Sequence, residues 1–480
     1  MTSTTASSAS SELALSPASS ASSAPSASSA SSASSASSAS YASSATPAPA
    51  TSASSSLAAK ASGTNTQPVP VNPPHISLLE APEIGTASAA IETPALVLDL
   101  DIARRNIERM QRATSAAGVK LRPHAKAHKC PDISRLQLAE GAVGICCQKV
   151  SEAIPFVAAG IRDIHISNEV VGAQKVRQLA ELASEVRMSV CVDDPMQIDA
   201  LAVATVVAGS TLGVFIDIDV GQHRCGVSTL EQAVALAKLI VAHPQLELRG
   251  IQAYHGSNQH QRSPEERNRT AGHAAKIAGE MAQGLRAAGF PCDTITGGGT
   301  GSAEFDFAHG VYTEIQAGSY VFMDADYASN IYTGELTFEH SLFIASTVMS
   351  VAVQGQVVVD AGLKSMSVDS GLPWIWEQGQ RSIALTYAGA SDEHGVVRPL
   401  NAEQAPSTGS TEPTGSSGST TSSASAPASV DDRSLPPLGT QILLAPGHCD
   451  PTFNLYDRLI VVQDERVADV WPIAARGMSW

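Results

Sequence analysis

From about residue 119 to residue 323 the chain repeats one pattern: a short apolar run, a polar residue or two, then a stretch with helical spacing. The runs VKLRPHAK, AVGICC, DIHIS, RMSVCVD, LGVFIDIDV, LRGIQAYH, DTITGG and EIQAGSYVFM give eight candidate strands. Amphipathic stretches such as STLEQAVALAKLIVAH separate most of them. Strands this continuously apolar are covered on both faces, which requires a parallel sheet with crossover helices, and eight in succession close into a (β/α)8 TIM-type barrel. A leading strand, PALVLDLD, precedes them, and Asp101 is the expected N-cap of the helix that runs to Gly118. The barrel is expected over 93–330. Beyond Met323 the crossover helices stop, and FEHSLFIASTVMSVAV, QVVVDAGL, IALTYAG, QILLAPG and YDRLIVVQDERVADVWPI predict a second, mostly antiparallel β domain over 331–480, with 76–92 attached.

Two segments stand outside this pattern. The first 75 residues are mostly Ser, Ala, Thr and Pro, with Glu12 the only charge before Lys60, and 401–437 has the same character. Neither holds enough large apolar side chains to offset chain entropy, so both are expected to be disordered. A formal charge of −16 argues against nucleic acid, whose backbone needs a basic footprint. No apolar run is long enough to span a membrane, and the N-terminus lacks a basic and apolar leader. A cytoplasmic protein is expected; organellar targeting by the Ser-rich N-terminus stays open, although no Arg precedes Arg104. Seven scattered cysteines read as free thiols in a reducing compartment.

Polar residues mark the strand ends. Lys126, Gln148, Asn168, Asp193, Arg224, Tyr254, His255 and Gly297–Gly301 end or follow strands, Gln316 lies on the eighth, and in a barrel these ends meet at one mouth. GGGTGS lets backbone N–H groups approach an anion; alone such a run is more often a turn, but after a seventh barrel strand it is placed for phosphate. Lys126 is the candidate nucleophile, its amine expected to be desolvated and its pKa lowered for Schiff-base chemistry. A reactive lysine opposite a phosphate cradle is what pyridoxal 5'-phosphate requires. His124 and His128, about 13 Å apart if extended, are too far apart to share one ion, and are expected to orient the lysine or the cofactor. In APGHCDPT, His448 and Asp450 share one face of an extended segment while Cys449 points away. One imidazole and one carboxylate suit an octahedral Mn²⁺ or Mg²⁺ better than a tetrahedral zinc, though the pair alone is more often a surface feature.

Taken in order, RPHAKAHK, GAVGICCQKVSEA, DIDVGQHRCGV, AYHGS, ITGGGTGS, YTEIQAGSYVFMDADY and PGHCDPTFNLYD resemble the D-threonine aldolases, which are alanine-racemase-like (fold-type III) pyridoxal-phosphate enzymes. The resemblance runs from about Thr93 to Trp480, broken by the low-complexity insertion. It implies that Lys126 carries the cofactor, Arg224 faces its phenolic oxygen, and Gly298, Gly299 and Thr300 cup its phosphate. Tyr254 packs on the ring or binds phosphate. Gln316 stands where alanine racemases place an arginine at the ring nitrogen. His448 and Asp450 match the metal pair (Mn²⁺, with Mg²⁺ or Co²⁺ as substitutes); related dehydratases carry cysteine at the position of Asp450. The implied protein is a homodimeric lyase acting on a D-β-hydroxy-α-amino acid, with the metal on the β-hydroxyl, giving glycine and an aldehyde. The alternatives are a metal-dependent D-serine or 3-hydroxyaspartate dehydratase, a non-catalytic cofactor-binding protein and, least, a racemase.

Overall fold

The chain begins its folded course with β1 (Ala95–Asp99) and α1 (Leu100–Ala116). The cap is Asp99, not Asp101: its carboxylate accepts from Ile102 N at 2.9 Å, while Asp101 accepts from Gln463 Nε2 at 2.7 Å. Buried Leu100, Ala103, Asn106, Ile107, Met110 and Thr114 recur every three or four residues, which gives α1 one inward face. This computed structural model describes residues 80–334, 336–400 and 435–480, all within one unit. The 1–75 tail and all but the last three residues of the 401–437 insertion lie outside the described residues.

The barrel follows α1. Its eight strands are β2 (Lys120–Leu121), β3 (Ile145–Cys147), β4 (Asp163–Glu169), β5 (Arg187–Val192), β6 (Leu212–Asp217), β7 (Leu246–Ala253), β8 (Thr294–Gly297) and β9 (Glu314–Ile315). The helices between and around them are α2 (Pro131–Ala139), α3 (Val150–Ala158), α4 (Ala173–Glu185), α5 (Pro195–Ala208), α6 (Leu230–Val241), α7 (Pro264–Ala287) and α8 (Ala303–His309). All pairings are parallel, in the order β2-β9-β8-β7-β6-β5-β4-β3. The two ends of that series meet through a parallel bridge, His124–Cys146, and through Val143 N donating to Leu121 O at 2.9 Å, so the barrel closes. Every residue of β6 is buried, as double coverage demands. Inside, a polar chain crosses the strands: His165 Nε2 to Gln252 Oε1 at 3.2 Å, Gln252 Nε2 to Asp217 at 3.3 Å, Thr296 Oγ1 to Glu314 at 3.0 Å, and Arg122 Nε to Glu314 at 2.9 Å.

The leading strand belongs to the other sheet. β1 lies between β10 (Leu342–Ser350), antiparallel, and a later strand, Arg458–Gln463, parallel. The rest of that sheet comes from β11 (Val357–Val359), β12 (Trp374–Glu377), β13 (Gln380–Arg381), β14 (Leu385–Ala390), β15 (Gly395–Pro399), β16 (Gln441–Ala445), β17 (Arg458–Gln463) and β18 (Arg466–Pro472). Its pairings are antiparallel apart from β1 with β17. Ala95, Val97, Ala345, Ile460 and Val467 bury together, so β1 is held by apolar contacts that only chain segments far away in sequence can supply. β16 runs directly into α9 and α10's neighbourhood at the barrel mouth: α9 (Ala325–Ala328) receives backbone contacts from Pro446 and Gly447, and α10 (Cys449–Phe453) follows at once. Asp324 fastens the joint, accepting from Tyr327 N at 2.8 Å and Cys449 N at 2.9 Å.

Candidate active site

A cavity of about 550 Å³ opens at the barrel mouth. Lys126, His124, Arg224, Tyr254, Gly299, Thr300, Gln316 and Asp450 all line it. Strand β2 is too short to carry Lys126. After Leu121 the chain passes through the bridge at His124 into a 3-10 turn, Ala125–Ala127, and that turn projects the lysine. Its Nζ donates to Asp450 Oδ2 at 2.5 Å, and Ser319 Oγ donates to Asp450 Oδ1 at 3.2 Å. The electrostatics reverse the expected direction. Burial works against the charged amine, but Asp450 beside it outweighs burial and holds Lys126 above the usual lysine range. Burial would likewise raise the Asp450 carboxyl; Lys126 and His448 hold it below the usual range instead. The other lysine of the stretch, Lys129, is tied in a buried pair with Glu152 at 3.0 Å and does not line the cavity.

The two histidines part company. His124 sits in the cavity wall, its Nδ1 accepting from Lys126 N and its Nε2 against Gln148 Oε1 at 3.0 Å and Ser167 Oγ at 2.8 Å. Burial, reinforced by the Lys126 charge, pushes its pKa down to about 3, so it is a neutral positioning group. His128 faces the other way, into Phe156 and Phe322, is fully buried, and does not line the cavity. The turn at Ala125–Ala127 breaks the extended geometry that would have put both on one face.

Opposite the lysine lies the glycine run. Gly298 has φ of +66°, and a Cβ there would fall 2.6 Å from Asp306 Oδ2; a Cβ on Gly299 would fall 2.5 Å from Gln259 Oε1. Side chains are therefore shut out where the backbone faces the cavity. Gly299 and Thr300 line it, whereas Gly298 sits just behind. Arg224 stands over Tyr254 at 5.6 Å from its ring centroid, and burial raises the Tyr254 phenol. These features fit pyridoxal phosphate: an amine in a cavity of suitable size, a backbone cradle and a cation beside them.

His448 and Asp450 are not on an extended segment. His448 is the N-cap of α10 and Asp450 lies in its first turn. His448 Nδ1 meets Asp369 Oδ2 at 2.9 Å, which fixes the tautomer and leaves Nε2 bare, the way a carboxylate orients a metal-binding imidazole. That donor set fits a divalent ion. A separate acidic and thiol cluster, Glu169, Asp193 and Cys225, also has ligand atoms within 4.8 Å of one another.

Sequence reasoning missed His260. It lines the cavity, its Nδ1 is bonded to Asp326, and Arg262 holds the same carboxylate. Tyr254 and His255 mark the strand end, and beyond them a 3-10 turn over Gly256–His260 carries the chain back to the mouth. The signal was the polar run HGSNQHQR, too long for a tight turn.

Comparison with known proteins follows the same lines. Residues 98–326 match the family "Alanine racemase, N-terminal domain", and 341–462 match the "Putative serine dehydratase domain". A D-threonine aldolase of Arthrobacter sp is 49% identical over 84% of this chain and 98% of its own length. A 3-hydroxy-D-aspartate aldolase of Paracoccus denitrificans (strain Pd 1222) is 40% identical over 82% of this chain and 95% of its own. The crystal structure of D-threonine aldolase from Filomicrobium marinum superposes with a TM-score of 0.75 at 41% identity, covering 84% of this chain and all of the other.

Proposed function

The chain belongs to the D-threonine aldolase family of alanine-racemase-like pyridoxal-phosphate enzymes, and on that premise we propose that it is an aldehyde-lyase cleaving D-threonine and related D-β-hydroxy-α-amino acids to glycine and an aldehyde. The observation that carries the reading is the 2.5 Å contact between Lys126 and Asp450, which brings the cavity-lining lysine of the barrel and the carboxylate of the PGHCDP motif into one cavity. Lys126 would attach the cofactor through its aldehyde. Gly299 and Thr300 would hold the phosphate, Arg224 the phenolic oxygen, and Gln316 the ring nitrogen. His448 and Asp450 hold the divalent ion, Mn²⁺ by preference and Mg²⁺ or Co²⁺ as substitutes, a choice supported by mixed imidazole and carboxylate donors. When bound, the cofactor supplies an electron sink for the bond to Cα and the ion supplies a Lewis acid for the β-hydroxyl.

Within the protein, the remaining task is to take the β-hydroxyl proton. His260 suits it: Asp326 fixes the ring through Nδ1, none of the described residues bonds Nε2, and the ring lines the cavity. Burial would raise the Asp326 carboxyl, but His260 and Arg262 hold it below the usual range, so it stays anionic beside the imidazole. Asp450 is also what separates this reading from a dehydratase, since a carboxylate there replaces the softer thiolate. Incubating pure protein with D-threonine, pyridoxal phosphate and Mn²⁺ tests the proposal. Glycine and acetaldehyde are expected; 2-oxobutanoate and ammonia would instead mark a dehydratase, and no product a cofactor-binding protein without catalysis.

A further inference from the structure

Gln316 is buried at the cavity wall, and two separate hydrogen-bond chains meet at its amide nitrogen. The first starts at Glu314. Arg122 lies against that carboxylate at 2.9 Å and keeps it an acceptor, so Thr296 Oγ1 must give its one hydrogen to Glu314, at 3.0 Å. Thr296 can then only accept from Gln316, and the Gln316 atom 2.8 Å away is Nε2. The second chain starts at Asp217. Its Oδ1 accepts from Gln252 Nε2 at 3.3 Å, which turns Gln252 Oε1 toward Gln316 Nε2 at 3.2 Å. His165 Nε2 approaches the same Gln252 oxygen at 3.2 Å. Burial and the neighbouring Glu169 raise the Asp217 carboxyl, and a protonated carboxyl donates as well as accepts, so the Glu314 chain sets the Gln316 amide and the Gln252 contact agrees with it.

Both chains consume Gln316 Nε2 and none of the described residues donates to Oε1. We infer that Thr296 and Gln252 are positioning residues that lock Gln316 as a pure hydrogen-bond acceptor, so that the site takes the pyridine ring with its nitrogen protonated. The inference rests on the cofactor reading above. In pyridoxal phosphate the ring nitrogen lies across the ring from the aldehyde, so a cofactor held by Lys126 presents that nitrogen on the side away from the lysine. An unprotonated nitrogen there would face an oxygen lone pair with no hydrogen between them. A protonated nitrogen donates to it, and its positive charge is what makes the ring a strong electron sink.

The test is ¹⁵N NMR of the protein loaded with ring-labelled pyridoxal phosphate, beside the cofactor dissociation constant. The wild-type ring nitrogen is expected at the pyridinium position throughout the pH range in which the protein is folded. Removing both anchors, Thr296→Val with Gln252→Met, should move the signal toward the unprotonated position and weaken cofactor binding about tenfold, the value of one charge-assisted hydrogen bond. Gln316→Glu should keep the pyridinium signal, and Gln316→Arg should abolish it. An unprotonated nitrogen in the wild type overturns the inference, as does a double variant with unchanged signal and affinity. If the double variant does not fold, the comparison of wild type with Gln316→Arg decides: the same nitrogen position in both would refute the locked acceptor. A wild-type protein that binds no pyridoxal phosphate at all would instead refute the cofactor reading.

Discussion

The barrel and the second sheet meet at one cavity but are assembled by opposite rules. In the barrel, β3 to β9 each pair with the next strand in sequence, so the order of the chain is the order of the sheet. In the second sheet the central neighbours β10, β1 and β17 come from residues 342–350, 95–99 and 458–463. The barrel contributes Lys126, Gly299, Thr300, Gln316 and His260 to its lining, and the segment after β16 contributes Asp450, with His448 two residues before it and outside the lining. Sequence-local assembly thus places the groups proposed for the cofactor, and long-range assembly places those proposed for the metal.

If that division holds, substitutions on the two sides should separate cofactor binding from bond cleavage. The largest effect is expected at the barrel's lysine. Lys126→Ala should lose the absorbance of the attached cofactor and cut turnover at least roughly 10³-fold; borohydride trapping and peptide mapping that tags another lysine would break the assignment. His260→Ala should lower kcat by about 10²-fold or more, as for a lost general base. Its cofactor spectrum should be intact, and a spectrum that changes with it would place His260 on the cofactor instead. On the other side, Asp369→Asn should weaken metal binding by about 10- to 100-fold through the loosened His448 ring. Calorimetric titration with Mn²⁺ reads this directly, with the cofactor absorbance unchanged. The smallest effects concern the seam between the two regions. Asn106 on α1 donates to Val321 O at 3.0 Å and Glu339 O at 2.7 Å, so Asn106→Ala should cost about 1–3 kcal/mol in denaturant unfolding. The exposed pair Arg105–Glu339, 3.1 Å apart, should be worth less than about 1 kcal/mol when tested by Glu339→Gln.

The same contrast explains what was readable in the sequence. Apolar runs alternating with helices announce a barrel because each strand's neighbour is the next run along, and the eight strands appear where the pattern puts them. PALVLDLD reads equally well as a ninth member, since nothing within it reveals that its partners are residues 342–345 and 460–462. Within the site, residues at strand ends were visible as polar punctuation. Two things were hidden. The first was local bending: the 3-10 turns at Ala125–Ala127 and Gly256–His260 turn His128 away and bring His260 in. The second was the charge partner of Lys126, 324 positions later in sequence, which reverses the effect of burial on the amine.

The closure of the barrel has a mechanical side. Strands β2 and β9 are two residues each, and on its other side β2 meets β3 through the His124–Cys146 bridge, so the ladder is thin on both sides of β2, beside Lys126. A zipper with so few teeth opens first, and backbone amides there should exchange with solvent ahead of those in β4 to β7. On the proposed assignment, a cofactor joined to Lys126 after β2 and cradled at Gly299 and Thr300 after β8 would straddle β9. It acts as a clasp across the open seam, so loading it should slow exchange at Leu121 and Ile315 while leaving the far wall of the barrel as it was.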